Sequence, residues 1–278
     1  MEVIRAENAG ACYGVQRALD LALAASEECK PAYTLGPLIH NPGVVADLES
    51  RGVFVANEVD DVDGGTVIIR SHGVTPDVYD SVEQRGLDVI DATCPHVARA
   101  QKAAAELAAQ GCRVIVVGEA GHPEVEGLTA YAKREGAKVD VVPSPDAVPG
   151  DLRPPIGVVV QTTQRLENLK AIVAAIEQQG IEPIVKRTIC SATRQRQDAA
   201  DELASQVDAM VVIGGRNSSN TTRLSEICAD RCERSFHIES VGEIDPAWFE
   251  GCATVGVTAG ASTPESQIES VVRYLESL

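Results

Sequence analysis

Three of the eight cysteines in this 278-residue chain share a local setting. Cys12, Cys94 and Cys190 each follow a β-branched run and a small or polar turn, in EVIRAENAGAC, LDVIDATC and IVKRTIC, and they divide the chain into near-equal thirds. Thiolates placed where a strand ends and a helix opens gain from nearby backbone N–H groups and the helix dipole. A structural zinc site or an ordinary iron–sulfur cluster takes four protein ligands. Three cysteines would leave one position of a metal centre open to substrate. Taken singly, each is equally readable as a small buried hydrophobe. The other five, Cys29, Cys112, Cys228, Cys232 and Cys252, lack the turn context and are expected in the core.

A second group of polar residues also follows apolar runs. His40, His72 and His122 lie in such turns, where imidazole can donate to phosphate or simply bond to backbone. His96, in the first turn of a helix after Cys94, reads as pointing away, and His237, inside a strand, reads as structural. The segment GGRNSSNTTRL opens a helix with Ser218, Ser219 and Asn220, a composition that binds anions or caps the helix. In AGASTPES, Ser262 and Glu265 fit a capping box with Pro264 in the first turn. Together these residues imply a phosphate or diphosphate pocket built mostly from neutral donors. Glu124, after His122 and Pro123, reads as a general acid or as a carboxylate favoured by a helix N-terminus. Thr162 either relays a proton to it or caps the helix after Gln161.

The elements that must place these residues alternate strand, turn and helix. Val/Ile-rich runs predict strands at 2–6, 33–35, 53–55, 66–70, 87–90, 112–117, 139–142, 156–161, 183–186, 209–213, 235–238 and 253–258. Most lack polar alternation, as parallel strands covered on both faces do. Between them run amphipathic stretches such as HVARAQKAAAELAAQG and RLENLKAIVAAIEQQG, closed by Gly111 and Gly180. The fold class is therefore α/β with parallel sheets. The Pro/Gly-rich stretch 143–155 reads as a long αβ connection inside the middle third. Ligands of open parallel sheets bind beyond the carboxyl ends of the strands, where the reactive turns gather.

Composition narrows the partners. The formal charge is −17 and aromatics make up 3% of residues. Both oppose non-specific nucleic-acid or anionic-membrane binding, and the latter removes a base-stacking platform. No apolar run reaches the length of a membrane helix and the start MEVIRAENAG is no signal peptide, so a cytoplasmic location is expected. There is no CxxC, no GxxxxGK[ST], no GxGxxG and no HExxH, which argues against thioredoxin-like, nucleotide and zinc-hydrolase readings.

Nine blocks together resemble one family closely: GACYGVQRA, GPLIHNPGVV, SHGV, DATCPHV, GHPEVEG, QTT, ICSATRQRQ, GGRNSSNTTRL and GVTAGASTPE. They resemble the 4-hydroxy-3-methylbut-2-enyl diphosphate reductases of the methylerythritol phosphate pathway. Ala11 and Ser191 depart from the Phe and Tyr frequent in that family. The resemblance implies three pseudo-threefold-related α/β lobes with small, mainly parallel sheets around a central iron–sulfur site. The lobes would be residues 1–95, 96–190 and 191–278, with 1–12 packing on the third. It implies one [4Fe–4S] cluster per chain held by Cys12, Cys94 and Cys190. Substrate diphosphate would be bound by His40, His72, Ser218, Asn220 and Ser262, with His122 and Ser219 nearby. Glu124 and Thr162 would meet the substrate hydroxyl. Electrons would come from a ferredoxin- or flavodoxin-type donor.

Lys186, Arg187, Arg194 and Arg196 surround Cys190 with no intervening acid. They are expected either to form a docking island for that donor or to pair within the chain. A quinolinate synthase-like dehydratase shares the lobes and the three cysteines, and an iron–sulfur sensor shares the ligands. The GHPEVEG, NSSN and GASTPE blocks favour the reductase over the first. Glu124 and Thr162, as proton donors in the pocket, weigh against the second.

Overall fold

The computed structural model describes residues 1–27 and 31–278. Cys29 lies outside them. In chain order the elements are β1 (Glu2–Arg5), α1 (Tyr13–Ser26), β2 (Ala32–Leu35), α2 (Pro42–Ser50), β3 (Val53–Ala56), β4 (Thr66–Ile69), α3 (Pro76–Gln84) and β5 (Asp88–Asp91). There follow α4 (Pro95–Ala109), β6 (Arg113–Val117), α5 (Pro123–Arg134), β7 (Val139–Val142), β8 (Ile156–Val160), α6 (Leu166–Glu177) and β9 (Ile184–Lys186). The last stretch holds α7 (Ser191–Ala204), β10 (Ala209–Ile213), α8 (Ser219–Arg231), β11 (Ser235–Ile238), β12 (Thr254–Ala259) and α9 (Glu265–Glu276). A strand occurs at every position where an apolar run predicts one, within a residue at each end.

Among the described residues the strands form three four-stranded sheets, ordered β5-β4-β2-β3, β9-β8-β6-β7 and β1-β12-β10-β11. Every pairing is parallel. The N-terminal strand completes the third sheet, with Glu2 opposite Thr254 and Arg5 opposite Val257.

Burial on both faces explains the missing polar alternation. Val114 and Val116 of β6 pack with Ala104 and Leu107 of α4 and Leu128 of α5. The intervening Ile115 and Val117 pack with Leu169, Ile172 and Ile176 of α6. In β10, Val211 and Ile213 meet Ile268 and Val271 of α9, while Met210 and Val212 meet Leu203 of α7 and Leu224 of α8. Each such side chain contributes about 1.5–3 kcal/mol by leaving water. Hence a polar residue on either face is costly. Gly111 and Gly180 end α4 and α6 in left-handed conformation (φ +78° at both), as their positions predict.

Residues 143–155 differ from expectation. They join β7 to β8, strand to strand, through a 3₁₀ turn at Pro145–Ala147. Side chains of α6 fasten this connection: Asn168 donates to Pro143 O at 2.8 Å and Gln179 to Pro149 O at 3.0 Å. Leu152 enters the core beneath it. Pro/Gly content marked a loop, and long-range bonds decided what it joins.

By compactness the chain divides into two units. One comprises Met1–Gln16, Ile39–Ala46 and Ser191–Leu278, and the other Arg17–Leu38 and Asp47–Cys190. In the first, Gly214 (φ +147°) ends β10, and a methyl group there would lie 2.7 Å from Thr221 Oγ1. Gly260, past β12, faces the same hydroxyl even more closely. These two glycines let the start of α8 settle onto the sheet edge. Replacing Gly260 with Ala should therefore overpack this corner and cost about 1–3 kcal/mol. Thermal denaturation would show it as a lowered midpoint without loss of cooperativity.

Candidate functional site

One backbone arrangement recurs in all three sheets. Cys12 follows β1, Cys94 follows β5 and Cys190 follows β9, each an edge strand. The amide of each donates to the carbonyl two residues past the adjoining strand: Cys12 to Ala261 (3.1 Å), Cys94 to Ser71 (3.0 Å) and Cys190 to Thr162 (3.0 Å). Each cysteine is thereby tied to a turn carrying a candidate binding residue, Ser262, His72 and Thr162 respectively. All three are partly buried and none of the described cysteines is in a disulfide. Cys112, Cys228 and Cys232 are fully buried, as expected. Burial raises the Cys112 thiol and pushes Cys228 up to about 12, so both stay protonated and inert. Cys252 is only partly buried, at the rim of the third sheet's core, with Arg234 Nη1 3.2 Å from its sulfur.

In the second unit the chemistry centres on Glu124. It lies in the first turn of α5, after β6, with only 1% of its surface exposed. Thr162, past the neighbouring β8, donates its amide to Glu124 Oε1 at 2.6 Å and its hydroxyl to Oε2 at 2.9 Å. Burial raises the carboxyl to about 7, against the opposing pull of these two bonds, and Glu119 adds to the rise. A carboxylic acid poised near neutrality, with a hydroxyl at its tip, is suited to hold and deliver a proton. Thr162 does not cap a helix, because α6 begins at Leu166 behind Arg165. The relay alternative is thus the one its contacts match.

His122 caps α5: its Nδ1 accepts the Glu124 amide at 3.1 Å. That bond leaves Nε2 as the N–H donor of the neutral ring. Burial, with the nearby Arg70 guanidinium, lowers its basicity and outweighs Glu119. The His72 ring stands edge-on to it, centroids 5.6 Å apart. Gln161, wholly buried, accepts the Glu119 amide at 3.1 Å and donates to Thr163. The brace by Gln161 was not legible from its turn, since it depends on Glu119 on the neighbouring strand's turn, whereas the cap by His122 is a local bond to the second residue after it.

In the first unit, Ser218, Asn220 and Ser262 are all buried. Ser218 caps α8, accepting the Thr221 amide at 3.3 Å. Asn220 buries both polar atoms of its amide without a hydrogen-bond partner. Unmatched donors of this kind are costly unless a ligand completes them. Ser219 is partly exposed beside it. Ser262 does not form the expected capping box. Its hydroxyl donates to His40 O at 3.1 Å, Pro264 caps α9, and Glu265 turns to Arg5. Asn41, a residue the sequence reading passed over, donates to Ser262 O at 2.9 Å and caps α2 through its Oδ1. Its signal was the Asn–Pro pair at a helix start. These bonds seat the 39–46 segment, with His40, beside the start of α9.

His237 matches its structural reading, Nε2 donating to Gly214 O (2.9 Å) from within β11, and His96 lies in the first turn of α4 beside Arg99. The basic island does not hold as a surface. Arg196 is 6% exposed and its guanidinium donates inward to backbone carbonyls. Lys186 pairs with Glu106 at 3.5 Å. Only Arg187 and Arg194 remain exposed. Sequence adjacency had put four charges together, and helical periodicity turned one of them into the core.

Known proteins align with the chain throughout. The family described as LytB protein matches residues 3–276. The 4-hydroxy-3-methylbut-2-enyl diphosphate reductase of Pelobacter propionicus is 51% identical over 98% of this chain and 96% of its own. That of Trichlorobacter lovleyi is 49% identical over 100% and 99%. A solved (E)-4-hydroxy-3-methyl-but-2-enyl diphosphate reductase, described as the terminal enzyme of the non-mevalonate pathway, superposes with TM-score 0.72 at 41% identity over the whole of both chains. The Plasmodium falciparum E-1-hydroxy-2-methyl-but-2-enyl-4-diphosphate reductase gives TM-score 0.91 at 25% identity, covering 99% of this chain and 87% of that one. No helix among the described residues is long and apolar enough to cross a membrane.

The raised pKa of Glu124 has a consequence for stability. Its carboxyl ionises near 4.5 when unperturbed and near 7 when folded. Between those values the folded chain keeps a proton that the unfolded chain has released. Stability should therefore fall as pH rises through this window, by about 3 kcal/mol in all, and level off above it. Urea denaturation between pH 5 and pH 8 measures the slope, and Glu124→Gln should flatten it. Thr162→Val, lacking the hydroxyl that favours the charged form, should move the titration of Glu124 still higher.

Proposed function

We infer, since this chain belongs to the LytB protein family, that it reduces (E)-4-hydroxy-3-methylbut-2-enyl diphosphate to isopentenyl and dimethylallyl diphosphates. The observation that carries the reading is the buried pair of Glu124 and Thr162, a proton reservoir on the turn bonded to Cys190. An iron–sulfur reductase needs such a group, and an iron–sulfur sensor does not.

The donor set suits a [4Fe–4S] cluster. Cys12, Cys94 and Cys190 stand on equivalent turns and are partly exposed, whereas the fully buried thiols are held neutral or committed to the core. These three cysteines hold one cluster per chain. When bound, it would supply two electrons, one at a time, and Lewis acidity toward the substrate oxygen. A ferredoxin- or flavodoxin-type protein provides the electrons, and the protein works in the cytoplasm, where such thiols stay reduced.

The remaining steps belong to side chains. His40, Ser218, Ser219, Asn220 and Ser262 take the diphosphate, and His72 and His122 are further donors assigned to it. The amide of Asn220 finds in a phosphate oxygen the acceptor it lacks. Neutral His122 donates through Nε2 and so adds no charge that would have to be desolvated. Fixing the diphosphate orients the allylic alcohol toward Thr162 and Glu124. Glu124 gives up its proton as the C–O bond breaks, so that oxygen leaves as water. The two electrons remain on the three-carbon allyl unit. A second proton, added at either end, yields the two products. Glu124 is reprotonated between turnovers through the Thr162 hydroxyl.

Glu124→Gln should leave iron and sulfide content at the wild-type level and lower turnover by roughly 10²–10⁴-fold. Unaltered turnover would remove Glu124 from the proton route. Asn220→Ala should instead raise KM, by about tenfold or more, with a smaller effect on kcat. Cys94→Ser should lose iron on anaerobic purification, and a variant that keeps a full complement would overturn the ligand assignment.

A further inference from the structure

Arg196 occupies a place that a hydrophobic residue would fill by default. On α7 the buried positions are Thr193, Arg196, Gln197, Ala200, Leu203 and Ala204, the stripe of a helix facing its core. Burying a guanidinium costs several kcal/mol unless good partners replace water, and ordering so long a side chain adds to the cost. The partners here are specific. Nε and Nη2 both donate to Gly10 O, at 3.1 and 2.6 Å, and Nη1 donates to Ala192 O at 2.9 Å.

One acceptor belongs to a turn that carries a cysteine, and the other to the first turn of the helix that follows one. Gly10 begins the turn that ends at Cys12. It adopts φ +100°, its amide donates to Ala259 O at 3.2 Å, and a methyl group on it would meet Ile268 at 2.8 Å. Its conformation therefore admits little but glycine. Ala192 is the second residue of α7, and the first, Ser191, follows Cys190 directly. A single planar fork thus fastens the Cys12 turn to the helix that starts where Cys190 ends.

We propose that Arg196 is the positioning residue of the cluster site: its guanidinium fixes the Cys12 turn against the start of α7, and its charge, near that turn, favours the reduced cluster. The proposal rests on the cluster assignment above and goes beyond it. An arginine keeps its proton at any working pH, so the charge is permanent. Three of its hydrogen bonds run to the backbone oxygens of Gly10 and Ala192. A lysine could keep the charge, but it has no fork with which to hold one carbonyl through two donors.

The test compares wild-type protein with Arg196→Lys and Arg196→Met, all full-length and purified without oxygen. The measurements are iron and acid-labile sulfide per chain, the rate of iron loss to a ferrous chelator, and the cluster's midpoint potential by optical titration. Arg196→Met should lose iron about tenfold faster or more and show a lowered potential. Arg196→Lys should keep the potential close to wild type while losing iron at an intermediate rate. That split separates the charge from the fork, and a residue that only supported the fold would not produce it. Wild-type rates and potential in Arg196→Met would overturn the proposal. Should that variant fail to fold, Arg196→Lys decides: faster iron loss sustains the proposal and an unchanged rate overturns it. A wild-type protein that takes up no iron would instead overturn the cluster assignment itself.

Discussion

The structure depends on one repeated backbone hydrogen bond, from the amide of a cysteine to the carbonyl two residues beyond the neighbouring strand. It is made three times, once per sheet, always between an edge strand and the strand next to it. Parallel strands end together at one edge, so their C-terminal turns lie side by side and can be joined by main-chain atoms alone. A thiol placed this way has its Cα fixed by the sheet, and only its own rotamer is left to choose. The same bond fixes the partner turn, which in each case holds a residue assigned to the substrate. The proposed ligands and the proposed substrate contacts therefore depend on one register, and a slip in strand pairing would misplace both.

Around those turns the protein uses neutral donors and one poised acid in preference to opposed charges. Desolvation raises Glu124 and lowers His122 by the same physical cause, the cost of burying a charge. The result is a protonated carboxyl and an uncharged imidazole at adjacent positions on one helix start. A site rich in fixed cations would attract the anionic substrate more strongly but would also hold the anionic products. Two hydrogen bonds from Thr162 limit how far Glu124 rises, keeping its proton transferable. Arg196, deeply buried beside a cysteine turn, donates to backbone carbonyls.

Different parts of this were legible in the sequence to different degrees. Runs of Val and Ile without alternation located all the strands, because burial on both faces leaves a continuous apolar signature. Ser218 was readable both as a cap and as an anion donor, and it does cap α8. Ser262 looked like a capping residue by its spacing to Glu265. That reading failed because His40 O, 222 positions away, competes for its hydroxyl and Arg5 takes the glutamate. The segment 143–155 was recognised as a loop but given the wrong ends. For Arg196 a docking surface and pairing within the chain both stayed open, because a local run of basic residues carries no record of which one faces inward.

The sequence by itself determined the periodicities, hence the α/β class, and the identity of the three cysteines singled out by their turns. Both are local properties: side-chain branching, turn chemistry and the pattern of apolar residues act over a few neighbours. Only the tertiary structure decided that Glu124 titrates near neutrality, that His122 carries its proton on Nε2, and that Arg196 braces the Cys12 turn. Each of those depends on how deeply a group is removed from water and on partners far along the chain. Such quantities exist only once the sheets and helices have closed around them.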